Sequence, residues 1–160
     1  VGEPLPRIDA HGVTCLAAPE VAFDALWHVV RRSFDGRAAS TYARAVRCEP
    51  SASSATSTPV VGSTTLVGFA VTAVERPSTL TIAGRHHFAR YELAFRVEPA
   101  HGGGSRIEAT TYADFPGRLG ALYRALVLGT RIHVLVTRRM LRGVARAADR
   151  RAREQPTDIT

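Results

Sequence analysis

Residues 84–99, "GRHHFARYELAFRVEP", decide how this chain is read. Leu93, Phe95 and Val97 alternate with Glu92, Arg96 and Glu98. A period of two with one apolar and one wet face is a strand of an antiparallel sheet packed on one side. Two adjacent histidines, His86 and His87, stand at its head. Parity with Leu93 and Phe95 sends His87 and Tyr91 inward and His86 outward, provided the strand runs back that far. Neighbours on a strand face opposite ways, so the pair does not close on one ion.

The same period continues outward. Residues 106–115, "RIEATTYADF", place Ile107, Ala109, Thr111 and Ala113 on one face, and the Gly-rich "AHGGGS" before them is a hairpin loop. Upstream, "TLTIAG" (79–84) is a strand, and "TTLVGFAVTAV" (64–74) reads as one strand that contributes Phe69 and Val71. The small-residue stretch before it predicts a flexible loop at about 50–63. Residues 37–49 fit a helix or a strand. Residues 7–17, "RIDAHGVTCLA", read as the first strand. Residues 18–34 read as a helix, with Pro19 in its first turn and Glu20 set against its dipole.

After the strands comes "FPGRLGALYRALVLGTRIHVLVTRRMLRGVARAADRR" (115–151). At 100° per residue, Leu119, Leu122, Leu126, Thr130, His133, Thr137, Met140 and Val144 form one stripe. Arg124, Arg131, Arg138, Arg142 and Arg146 lie opposite. This predicts a single amphipathic helix, on the order of 45–55 Å long, with Gly129 and Gly143 as places to bend. The order is α+β: a curved antiparallel sheet wrapped around a long C-terminal helix, with a short helix after the first strand. Residues 1–152 are expected to form one domain and 153–160 a disordered tail.

Composition narrows the classes. At 160 residues the chain can bury a core without staples. No apolar run approaches the roughly 18 residues of a membrane span, and residues 1–12 lack a leader pattern. Cys15 and Cys48 lack CxxC spacing, so a reducing cytoplasm is the simplest reading. Every basic residue is arginine; residues 1–115 balance to zero and residues 116–160 carry the whole net charge of +7. Aromatic residues do not interleave with those arginines, so no specific nucleic-acid partner is expected. Leu128, Ile132 and Leu135 sit among the arginines, and a homodimer contact on that outer face is one use for them.

The stretches "APEVAFDAL", "GRHHFARYELAFRVEP" and "FPGRLGALYRALVLGTRIHVLVTRRMLRGV", in that order, resemble the START-like, or Bet v 1-like, helix-grip superfamily of polyketide cyclases and lipid-transfer domains. The resemblance spans most of residues 7–150 and, more narrowly, looks like a bacterial branch labelled as a domain of unknown function. It implies a ligand cavity between the sheet and the long helix, and no shared catalytic residue. The superfamily holds carriers, cyclases or dehydratases, and hormone sensors, among which fold alone does not choose.

The expected cavity wall is Phe69, Val71, His87, Tyr91, Leu93, Phe95, Thr111, Tyr123, Leu126, Thr130, His133 and Thr137. The leading function is binding of a small hydrophobic molecule. The alternative is a cyclase, dehydratase or isomerase on a polyketide-like or aromatic substrate, with His133 and Tyr91 as acid and base. A third is an interaction protein using the Arg-rich helix. His133 lies mid-stripe, where a core histidine with satisfied hydrogen bonds competes with a ligand-binding one. No HxH, HExxH or Cys/His spacing occurs, so neither metal nor cofactor is expected. There is no G-x-S-x-G elbow either.

Overall fold

The computed structural model describes residues 4–35 and 37–154; the side chains of residues 37–39, 42, 123 and 126–128 lie outside that description. β1 (Arg7–Cys15) leads into α1 (Pro19–Phe34) and α2 (Arg37–Val46). Five strands follow: β2 (Thr65–Leu66), β3 (Phe69–Glu75), β4 (Thr79–His86), β5 (Ala89–Pro99) and β6 (Ser105–Asp114). The chain closes with α3 (Gly117–Gly129) and α4 (Ile132–Glu154). Helix α4 thus carries two residues past the expected end of the domain at 152, and residues 155–160 lie outside the described residues.

All six strands form one curved antiparallel sheet in the order β1-β6-β5-β4-β3-β2. Alternation sets its inner face. Leu93, Phe95 and Val97 of β5 are buried, as are Ile107, Ala109 and Ala113 of β6. On the outer face Arg90 meets Asp114 across the strands at 2.8 Å, whereas Arg96–Glu98 and Arg106–Glu108 pair along their own strands. These pairs are exposed and each is worth about 0–1 kcal/mol.

Helices α1 and α4 cover the inner face. Phe23, Leu26 and Val30 of α1 and Leu141, Val144 and Ala148 of α4 share one continuous core with Val71, Leu80, Ile82, Leu93 and Phe95 of the sheet. Asp149 anchors α4 by accepting the Leu16 backbone N–H at 2.7 Å. Ser105 donates to the Ala17 carbonyl at 2.7 Å and fixes the β1–α1 corner.

Three expectations need correction. "TTLVGFAVTAV" is two strands, because Gly68 turns the chain at a φ of +83° between β2 and β3. His86–His87–Phe88–Ala89 is not continuous strand: His86 pairs with Ala89 across a two-residue turn. The C-terminal helix is also not single. Arg131 takes a φ of +53° and separates α3 from α4, two residues after Gly129. A β-carbon-bearing residue adopts that conformation at a cost, so it marks a true change of direction. Gly143 lies inside an unbroken α4.

The 37–49 alternatives resolve as helix over Arg37–Val46. The loop at 50–63 is small-residue but well bonded. Ser54 Oγ donates to the Ser63 carbonyl at 2.9 Å, Thr65 Oγ1 to that of Ala52 at 3.0 Å, and Trp27 Nε1 to that of Thr56 at 3.1 Å.

Candidate functional site

Strand β1 carries the site at one edge of the sheet. Its register sets Asp9 opposite Thr111, His11 opposite Ala109 and Val13 opposite Ile107. Those partners belong to the inner face of β6, so the Asp9 and His11 side chains turn inward as well. The first two turns of α4 cross above them. His133 Nε2 lies 2.9 Å from Asp9 Oδ2, and His11 Nε2 lies 3.2 Å from the same oxygen. Arg138 Nε donates to His11 Nδ1 at 3.4 Å. An Nδ1 that accepts leaves the proton of neutral His11 on Nε2, directed at the carboxylate. Asp9 Oδ2 therefore receives two imidazoles.

Asp9 Oδ1 and Thr111 Oγ1 are both buried and neither has a hydrogen-bond partner. Asp9 and Thr111 are cross-strand partners, so their β-carbons sit about 4.5–5.5 Å apart. The three ionisable side chains are only 14–19 % exposed. Among the described residues no cluster of His, Cys, Asp or Glu is arranged to hold a metal ion.

Tyr91 works at the other side of the sheet. Its hydroxyl donates to the Gly68 carbonyl at 2.9 Å and lies 3.7 Å from Cys48 Sγ. Gly84 makes that approach feasible: a β-carbon there would stand 1.9 Å from the Gly68 carbonyl oxygen. Phe69 packs on Tyr91 and Phe34, with ring centroids 5.0 and 4.5 Å away. His86 joins them at 5.3 Å from Tyr91, and its Nδ1 accepts the Phe88 N–H at 3.1 Å. Burial lowers the His86 pKa, with a smaller contribution from neighbouring His87. The histidine facing inward is thus His86, while His87 is exposed at the turn. Parity counted back along β5 failed here because β5 begins only at Ala89 and His86 belongs to β4. His133 and Tyr91, expected as an acid–base couple, bond to opposite edges of the sheet.

The remaining expected wall residues divide. Val71, Leu93 and Phe95 are buried in the common core, and Thr137 is buried one turn beyond His133. Thr130 is exposed at the helix break. Tyr123 and Leu126 lie on α3, outside the described side chains. A cleft of about 830 Å³ lies elsewhere, beside α1 and the end of α4, lined by Trp27, His28, Arg31, Ser57 and Arg151 among others. A smaller one of about 380 Å³ lies on the outer face of the sheet, beside Arg96 and Tyr112. In the first cleft His28 has its pKa lowered, by desolvation and then by Arg151, Arg32 and Arg31.

Neither a family model nor a curated protein matches the sequence. Among solved structures, protein MLL2253 from Mesorhizobium loti is similar at a TM-score of 0.52 and 14 % identity, over 89 % of this chain and 96 % of that one. The chain shares its fold with that protein: a curved antiparallel sheet closed by a long C-terminal helix, the helix-grip arrangement. Two further structures are more distant. Ara h 8.0201 has a TM-score of 0.45 at 12 % identity, covering 92 % of this chain and 97 % of its own. A conserved protein from Geobacillus kaustophilus has 0.39 at 12 %, covering 91 % and 93 %. At these identities the likeness concerns the fold and carries no residue roles.

The sequence reading placed His133 and Thr111 on the expected wall and left Asp9 and His11 off it. The missed signal was parity in "RIDAHGVTC". Asp9 and His11 share a face with Val13 and Cys15, and Cys15 is buried. Two polar residues on the buried side of an edge strand need partners. Both cysteines are free and buried, and burial raises the pKa of each thiol.

Proposed function

We propose that the protein binds a small hydrophobic molecule that carries a hydroxyl group, at the β1 edge of the inner sheet face beneath α4. One observation carries this reading: Asp9 Oδ1 and Thr111 Oγ1 are buried, face one another in register and lack partners. Leaving such atoms unpaired costs about 1–3 kcal/mol each. A hydroxyl can donate to the carboxylate oxygen and accept from the threonine, satisfying both at once. The apolar body of the ligand would lie toward Leu93 and Phe95, the neighbouring inner-face residues of β5.

Native mass spectrometry of the purified chain tests this. A non-covalent adduct is expected, lost in Thr111→Val while circular dichroism stays unchanged. A chain with no adduct and no saturable uptake of Nile red, a neutral apolar probe, overturns the reading. An adduct retained fully by Thr111→Val overturns the placement of the site.

A second reading has its own observation, the 2.9 Å contact between His133 Nε2 and Asp9. A carboxylate that orients an imidazole through one nitrogen prepares the other for proton transfer. Under that reading the bound molecule is a substrate for proton abstraction or dehydration. Tyr91 takes no part, since its hydroxyl is committed to Gly68. Recovery of the adduct with altered mass from His133→Gln, compared with the unaltered chain, would favour chemistry over carriage.

A further inference from the structure

Leu119 and Leu122 of α3 and Ile132, Leu135 and Val136 of α4 are each 58–69 % exposed. Their spacings are i, i+3 on α3 and i, i+3, i+4 on α4, so each helix shows an apolar face to solvent on either side of the Arg131 break. Single exposed apolar residues need no account, but five on two consecutive helices do.

The charges around them are of one sign. Residues 115–148 contain seven arginines and no Asp or Glu, whereas residues 1–115 are balanced. Arg118, Arg124, Arg131, Arg138 and Arg139 are exposed. We propose that the α3–α4 segment is a docking surface for an anionic lipid bilayer, with the five apolar side chains entering the acyl boundary and the arginines meeting the headgroups.

Charge complementarity selects this occupant. A second copy of the chain would bring the same acid-free, arginine-rich surface against itself, and like charges in contact oppose association. A nucleic acid would take up the arginines through its phosphates but leave five aliphatic side chains in water. An anionic bilayer satisfies both features, since basic helices with an apolar face lie in the interface plane. No helix among the described residues is long and apolar enough to cross a membrane, so the contact is peripheral. The surface uses none of the Asp9, Thr111 or His11 side chains and does not depend on the ligand reading.

Co-sedimentation of the full chain with vesicles tests the proposal. Vesicles of phosphatidylglycerol and phosphatidylcholine should retain about tenfold more protein than pure phosphatidylcholine vesicles at low salt. The excess should fall as salt is raised. Leu122→Asp and Leu135→Asp should each lower retention by about tenfold, and Arg124→Glu should lower it on the anionic vesicles alone. If Leu135→Asp fails to fold by circular dichroism, Leu119→Ser reads the same face. Thr111→Val should bind vesicles as the unaltered chain does, which separates failure here from failure of the ligand reading. Equal retention on both vesicle types, no retention, or retention unaffected by these substitutions overturns the proposal. So does a concentration-dependent dimer in light scattering that Leu135→Asp disperses, because a second copy would then cover the face.

Discussion

Residues 117–129 and residues 137–148 carry the same kind of pattern, aliphatic residues at helical spacing with arginines between, yet they meet different surroundings. In α4 the stripe is sealed: Thr137, Met140, Leu141, Val144 and Ala148 are buried against α1 and the sheet. In α3 the leading stripe residues Leu119 and Leu122 are open to solvent. Helical periodicity names a face and does not name what covers it. The covering comes from α1, whose Phe23, Leu26 and Val30 share the core with the far half of α4. The break at Arg131 then lets α3 leave the line of α4, and its apolar face leaves with it.

The largest expected effect lies on the sealed side. Leu141→Ala should cost about 2–5 kcal/mol, because the leucine is 2 % exposed within the continuous core. Urea melts measure this directly. A loss under about 1 kcal/mol would mean that α4 is loosely held, and the contrast with α3 would disappear.

An intermediate effect belongs to the junction, where α4 first touches the sheet. Asp9→Ala removes the acceptor shared by His133 and His11, and should cost about 1–3 kcal/mol. The partial exposure of the three side chains places the expectation toward the lower end. A double-mutant cycle with His133→Ala isolates the contact. Zero coupling energy would show that the 2.9 Å contact does not tie α4 to β1, and the polar site would lose its support.

The same contrast sets how much the sequence disclosed. Strands β5 and β6 were legible because Leu93, Phe95, Ile107 and Ala109 alternate with charged residues on a wet outer face. Helix α1 was legible from Pro19, Glu20 and its spacing. The β2–β3 turn was not, since Val67-Gly68 interrupts an apolar run without a polar residue, and only the positive φ of Gly68 reveals it. The Arg131 break was hidden similarly: Gly129 signalled a weak point, but nothing in "LGTRIH" requires an arginine at positive φ. His133 was singled out because the stripe passes through it. Asp9 and His11 were passed over because the inward side of β1 begins with two polar residues before Val13 and Cys15, which inverts the usual pattern. The His86–His87 parity failed because β5 starts only at Ala89: His86 ends β4, and His87 lies in the two-residue turn between the strands.

The smallest expected effect lies on the open side. Leu122→Ala should change stability by no more than about 0.5 kcal/mol, because a side chain 69 % exposed loses little burial when truncated. Helix propensity does not confuse the result, as leucine and alanine are both strong helix formers. The comparison with Leu141→Ala is therefore close to a comparison of surroundings alone, with the same residue type removed from each of the two C-terminal helices. A loss at Leu122 of about 2 kcal/mol or more would place that side chain in a core. It would mean that α3 folds back over the inner face in solution, that the C-terminal apolar stripe is sealed along both helices, and that the lipid-facing surface on α3 is not free to dock. A negligible loss, together with reduced vesicle retention by Leu122→Asp, would leave the leucine with a role in binding and none in holding the fold.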